Sequence, residues 1–171
     1  KAINLNNISA VIDFSSPAGF IACVNFCIEH NLPLISGTTG LSEEHVLLIS
    51  TAKKSIPILI ASNMSLGIAN LKRLIKEYLL SMSIPSKCSI TEIHHINKKD
   101  SPSGTALEIC RFLEGLSGSK IDGPIEMQSH RIGNIFGMHR IDFENAEGTT
   151  TFQHIANSRN IFAKGALHAA R

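Results

Sequence analysis

Short apolar runs alternate with longer stretches of helical spacing over the first 64 residues. "AVIDF" (10–14), "PLIS" (33–36) and "IPILIA" (56–61) are compact enough for buried strands. Between the first two, Ser16 is a good N-cap and Pro17 suits the first helical position. Phe20, Ile21, Val24, Cys27 and Ile28 then fall on one helical stripe. Asn31 and Pro33 stop that helix. Ser42 caps a second helix through about Lys54, with Glu43 and Glu44 favourable in its first turn. The order β-α-β-α-β predicts a parallel, doubly wound sheet of Rossmann type, present in part.

The pattern changes after "SNMS". A long helix over 66–83 carries Leu71, Leu74, Ile75, Tyr78, Leu79 and Met82, and Pro85 lies just beyond it. "CSITEIHH" (88–95) alternates like a strand, and a helix follows over 102–116, with Ala106, Ile109, Cys110 and Leu113 on its buried stripe. Segments 124–143 and 149–155 are strand-like, and Gly133 and Gly137 mark bulges or a turn. This predicts an α+β unit with a mixed sheet. The expected division is 1–64, joined by a returning 160–171, as the remainder of a dinucleotide-binding domain, and 65–159 as a substrate-binding and oligomerisation domain.

Composition narrows the function classes. Of 171 residues, 43% are hydrophobic and 18% charged, a globular balance. A net charge of +2, one Tyr and no Trp argue against nucleic acid as a partner. The longest pure apolar run is too short to span a membrane, and the opening residues lack the pattern of a signal peptide. The four cysteines form no C-x-x-C pair; Cys23 and Cys27 share a helix face, but no further ligand stands near. No metal site is expected, and free thiols point to the cytoplasm.

The chemistry concentrates in residues 92–107, "EIHHINKKDSPSGTAL". Successive strand residues face opposite ways, so His94 and His95 meet one ligand only if the strand ends beside them and the chain turns. "INKKDSPSG" supplies the turn. With Ser101 as N-cap and Pro102 as first helical residue, the amides of Ser103, Gly104 and Thr105 are unpaired donors at a helix start. Gly104 has no side chain to keep a ligand away, and Lys98 adds a full positive charge. Such a start binds carboxylates, and an imidazole beside it exchanges protons near neutral pH. The plainer reading is one packed histidine, one solvated histidine and a helix cap; the residues alone leave both open. His130, His139 and His154 alternate with apolar residues and read as structural. "GTTG" (37–40) alone is a strand-to-helix turn, Asp13 a helix-start acid, and Ser103 lacks the G-x-S-x-G elbow of a hydrolase nucleophile.

The same stretch resembles the E-x-H-H-x-x-K-x-D-x-P-S-G-T-A signature of the 4-hydroxy-tetrahydrodipicolinate reductase family, the dihydrodipicolinate reductases of diaminopimelate and lysine synthesis. "VIDFSSP", "ISGTTGLSEE", "ASNMSLGIANL" and "ANSRNIFAKGALHAA" resemble further family segments in the same order, so the likeness covers nearly the whole chain. It implies hydride transfer from NADPH or NADH to a cyclic unsaturated dicarboxylate. By the motif, His94 is the proton donor and Lys98 the second catalytic cation. His95, Gly104 and Thr105 would hold substrate. Gly37, Thr38 and Thr39, with Ala61, Ser62, Asn63 and Met64, would touch the cofactor. A homotetramer built through the second sheet is implied as well.

The likeness has departures. The family's glycine-rich G-x-x-G-x-M-G loop is not in the sequence, which reads as a truncated reductase expected to bind cofactor poorly. Met64 stands where the family usually has Phe, and the stretch after Leu116 is short. Two other hypotheses follow: a degenerate, non-catalytic member serving as a binding or assembly module, and a metal-dependent hydrolase using His94, His95 and a later His.

Overall fold

The computed structural model describes residues 5–116 and 120–171, and the chain divides into two compact units, Lys1–Met64 with Phe162–Arg171, and Ser65–Ile161. The short stretch after Leu116 falls partly on residues outside this description.

In the first unit, β1 (Val11–Asp13), β2 (Leu34–Ser36) and β3 (Ile58–Ile60) form a parallel sheet in the order β1-β2-β3. Helices α1 (Pro17–Glu29) and α2 (Glu43–Ala52) make the crossovers that parallel strands require. The Ser16 side chain accepts the Gly19 amide, and Asn31 closes α1 with φ of 52°. Phe20, Val24 and Cys27 bury against Leu34, Ile49 and Ile56, which removes about 1.5–3 kcal/mol worth of apolar surface per large side chain from water. Ile21 and Ile28, expected on the same stripe, are 41% and 37% exposed. The last helix, α5 (Asn160–Ala169), returns to this unit, and a Cβ at Gly165 would collide with the Met64 carbonyl.

The second unit carries α3 (Leu66–Ser81), β4 (Lys87–His94), α4 (Gly104–Gly115), β5 (Glu126–Arg131), β6 (Met138–Asn145) and β7 (Gly148–Ile155). Its sheet runs β5-β4-β6-β7, parallel between β4 and β5 and antiparallel elsewhere. Gly133, with φ of 52°, lies in the connection between β5 and β6. Ile68, Leu71, Ile75 and Leu79 of α3 and Ala106, Ile109 and Leu113 of α4 pack with Cys88, Ile90, Ile141 and Phe143 of the sheet. Leu74, expected in that stripe, is 44% exposed. Tyr78 sets its ring 5.4 Å from Phe143 and 5.3 Å from Phe152, fixing α3 on β6 and β7.

Candidate active site

One face of β4 is buried throughout, but its chemistry changes along the strand. Cys88 and Ile90 join the apolar core; Glu92 and His94, next on the same face, are a carboxylate and an imidazole. Register brings His139 of β6 opposite Glu92, and Arg131, the last residue of β5, opposite His94. Glu92 is fully buried and is bonded to groups on three elements. Its Oε2 takes a short hydrogen bond from His94 Nδ1, and its Oε1 accepts the Ser103 amide at 3.2 Å and both terminal nitrogens of Arg131 at 3.0 Å. Burial by itself would raise the Glu92 carboxyl; bonds from Arg131, Ser129 and His94 outweigh it and hold it below the ordinary carboxylate value.

The strand ends at His94, as a shared site for both histidines requires. His95 follows, half-buried, and its carbonyl accepts the Lys98 amide at 3.1 Å to close the turn. Lys98 Nζ meets Asp100 Oδ1 at 2.7 Å, and the Gly104 amide also hydrogen-bonds the Asp100 carboxylate. The helix start expected to hold a carboxylate therefore holds one belonging to the chain.

The cap of α4 differs from expectation. Ser103, not Ser101, is the N-cap: its side chain accepts the Ala106 amide at 3.2 Å, and the helix begins at Gly104, not Pro102. Glu92 is the physical reason. It binds the Ser103 amide, drawing that residue out of the first turn, so that amide is not a free donor. Gly104 and Thr105 become the first two helical residues, with Thr105 buried. On the stripe of α4, Cys110 is only partly buried.

His139, read as structural, belongs to this cluster. It is 3% exposed, its ring stands 5.1 Å from that of His94, and its Nε2 lies 3.2 Å from Ser103 Oγ. Burial, then the nearby His94, pushes it down to about 3, so it stays neutral. His94 is also held below its ordinary value: burial and the charges of Lys98 and Arg131 outweigh Glu92. Gly137 completes the site, since a Cβ there would lie 2.9 Å from His94 Nε2. The E-x-H spacing puts Glu92 and His94 on one strand face, a signal readable from sequence; Arg131, Gly137 and His139 arrive through cross-strand pairing, which no local pattern reports.

This arrangement can hold one imidazole in fixed orientation, offer a cation beside it, and seat a carboxylate at a helix start. No group of three or more His, Cys, Asp or Glu side chains among the described residues has the geometry to hold a metal ion.

In the first unit, the segments singled out for cofactor leave the carboxyl ends of β2 and β3 side by side, and the Ala61 amide donates to the Ser36 carbonyl at 3.1 Å. Asp13 is not a plain helix-start acid but the buried anchor of this edge. Its Oδ2 accepts Ser36 Oγ and Thr38 Oγ1, each at 2.7 Å, and its Oδ1 accepts the Ser15 amide at 3.0 Å. Thr38 is buried with its hydroxyl committed to Asp13, whereas Thr39 is exposed. A Cβ at Gly37 would collide with the Phe14 ring, which is itself 50% exposed. Met64 is buried with Ile35 and Ala166; Ser62 is exposed and Asn63 half-buried.

Comparison with known proteins agrees with this architecture. Residues 2–64 match the family described as dihydrodipicolinate reductase, N-terminus, and residues 67–171 match dihydrodipicolinate reductase, C-terminus. The chain is 41% identical over 161 residues to 4-hydroxy-tetrahydrodipicolinate reductase of Xanthomonas campestris pv. campestris (strain B100), covering 94% of this chain and 65% of that protein. It is 41% identical over 180 residues to the 4-hydroxy-tetrahydrodipicolinate reductase of a Nitratiruptor species, covering 94% and 69%. The chain thus spans about two thirds of the length of these relatives. In fold it is similar to a dipicolinate-bound dihydrodipicolinate reductase from Paenisporosarcina sp. TG-14, with a TM-score of 0.74 and 21% identity over 95% of this chain and 67% of that one. By both its halves and by the likeness of its relatives, this chain belongs to the dihydrodipicolinate reductase family.

Proposed function

We propose that the protein reduces 4-hydroxy-tetrahydrodipicolinate to tetrahydrodipicolinate with a pyridine nucleotide, a hydride and a proton entering as water leaves. The observation that carries this reading is the Glu92 carboxylate, which ties the ring of His94 and the start of α4 to one point.

His94 is the proton donor, with Nδ1 held by Glu92 and Nε2, on the edge beside Gly137, as the working nitrogen. Lys98 supplies positive charge against the electron-rich ring that forms on reduction. The amides of Gly104 and Thr105 seat one substrate carboxylate, which displaces Asp100 from the helix start, and His95 contacts the substrate. A dianion arriving beside His94 raises the affinity of the imidazole for its proton, so binding charges the acid.

The carboxyl edge of β1–β3 suits a nicotinamide nucleotide. Ligands of open parallel sheets bind outside the carboxyl ends of the strands. Here that edge offers a half-exposed Phe14 ring for a flat heterocycle and an exposed Thr39, next to Thr38, whose hydroxyl donates to Asp13. Gly37, Thr38 and Thr39 with Ala61, Ser62, Asn63 and Met64 would form the contact. The nucleotide supplies hydride when bound; the chain supplies position, charge and the proton. Membership of the family supports a homotetramer in the cytoplasm. A non-catalytic role has no observation in its favour.

The test is activity of the full-length gene product with the cyclic substrate and each nucleotide, followed by nucleotide oxidation. No oxidation with either NADPH or NADH overturns the assignment.

A further inference from the structure

Glu92 makes no contact with substrate in the reading above, yet the hydrogen bonds of the site converge on it. It is fully buried between β5 and β6, and its four partners come from three places: His94 on its own strand, Arg131 and Ser129 on β5, and Ser103 at the start of α4. Arg131 reaches further. Its Nη2 donates to the Asp100 carbonyl at 2.5 Å and its Nε to the Lys98 carbonyl at 3.3 Å, while Nη1 and Nη2 fork onto Glu92 Oε1. A planar guanidinium satisfies these acceptors together; an ammonium cannot.

We propose that Glu92 and Arg131 are a positioning pair for the reaction: Glu92 fixes His94 as the tautomer protonated on Nδ1, and Arg131 fastens the Lys98–Asp100 turn to the same carboxylate. The inference rests on the acid role assigned to His94. An ionised carboxylate only accepts, so the ring nitrogen facing it must carry a hydrogen. Neutral His94 then has a bare Nε2, facing the gap left by Gly137. When the ring takes up a proton, that proton sits on Nε2, the one nitrogen from which it can be handed on. Without Glu92 the ring is free to turn or to change tautomer. Without the Arg131 fork, Lys98 keeps its charge but loses the anchor of its backbone. The charged or titratable groups around the ring are Glu92, Arg131, Lys98 and the neutral His139; Lys98 and Arg131 disfavour its protonation and Glu92 favours it.

The experiment is long-range proton–nitrogen correlation on the histidine-labelled full-length protein, with steady-state kinetics. Wild-type His94 is expected as the Nδ1–H form when neutral. Glu92→Gln should populate the Nε2–H form, move the pH dependence of kcat/KM to lower pH, and lower kcat by about 100-fold with KM within about threefold. Arg131→Lys should keep the tautomer and raise substrate KM about tenfold. If Glu92→Gln does not fold, the wild-type spectrum and Arg131→Lys decide. A wild-type Nε2–H tautomer, or a Glu92→Gln protein with unchanged tautomer and pH profile, overturns the proposal. An inactive wild type with the Nδ1–H tautomer overturns the reductase reading alone, and an active one with the Nε2–H tautomer overturns this proposal alone.

Discussion

Asp100 holds Lys98 by a bond of 2.7 Å from Oδ1 to Nζ and at the same time accepts the Gly104 amide. The chain thus fills with its own carboxylate the seat that a substrate carboxylate is proposed to take. Removing that charge should ease the exchange. Asp100→Asn should bind pyridine-2,6-dicarboxylate about three- to tenfold more tightly by calorimetry at low salt, roughly 1 kcal/mol for a partly solvated charge. The gain should shrink as salt is added. Weaker binding at low salt would mean that Asp100 builds the seat and does not merely occupy it.

His94 and Thr105 should fail in different ways. His94→Ala removes the proton donor and should lower kcat by about 100- to 10,000-fold with little change in KM, whereas Thr105→Val should mainly raise KM. Because the free protein holds His94 below 6.5 and the acid must be protonated, kcat/KM should fall as pH rises through a value under 6.5. The corresponding fall in kcat should come at higher pH, since a bound dianion favours the charged ring. Turnover that survives in His94→Ala would remove the acid role.

The parts of this molecule that are legible in sequence are those set by neighbours along the chain. Ser16 with Pro17 marks α1, Asn31 ends it, and β4 stops at His94 because the next residues turn. The start of α4 lies two residues beyond the place its local sequence suggests because a distant carboxylate, Glu92, selects Ser103 over Ser101 as its cap. His139 reads as structural for a related reason. Alternation reports that it faces inward, but only the β4–β6 register puts it opposite Glu92 and against the ring of His94. Exposed Ile21, Ile28 and Leu74 make the same point for packing: periodicity names a stripe, and only tertiary contacts decide how much of it is buried.

Gly137 gives a steric test of the imidazole. Its backbone is not in the left-handed region, so alanine fits the local chain, but the added Cβ would stand 2.9 Å from His94 Nε2. The ring cannot swing aside while Nδ1 is bound to Glu92. Gly137→Ala should therefore lower kcat/KM at least tenfold and lower the melting temperature by a few degrees, since overpacking a buried ring costs about 1–3 kcal/mol. Gly137→Ala with wild-type kinetics would show that the Nε2 edge has room to spare and is not the working edge.

His139 makes the fold sensitive to acid. An unfolded histidine takes up a proton near 6.5, whereas buried His139 resists until about 3. Above pH 6.5 both states leave it neutral and its contribution is flat. Below that, only the unfolded chain gains the proton, so stability falls with pH by about 1.4 kcal/mol per unit for this one group. His94 and His154, also held low, act in the same direction. Asp13, Glu92 and Asp100, all held below their ordinary values, extend the loss at still lower pH, as their partners can no longer hold them ionised. His139→Gln should lower stability at neutral pH, where it disturbs the contact with Ser103, yet flatten the decline between about pH 6.5 and 4.5 by nearly one proton's slope in urea titrations. Parallel declines in the variant and the wild type would mean that His139 is protonated in the folded chain and that the buried cluster accommodates its charge.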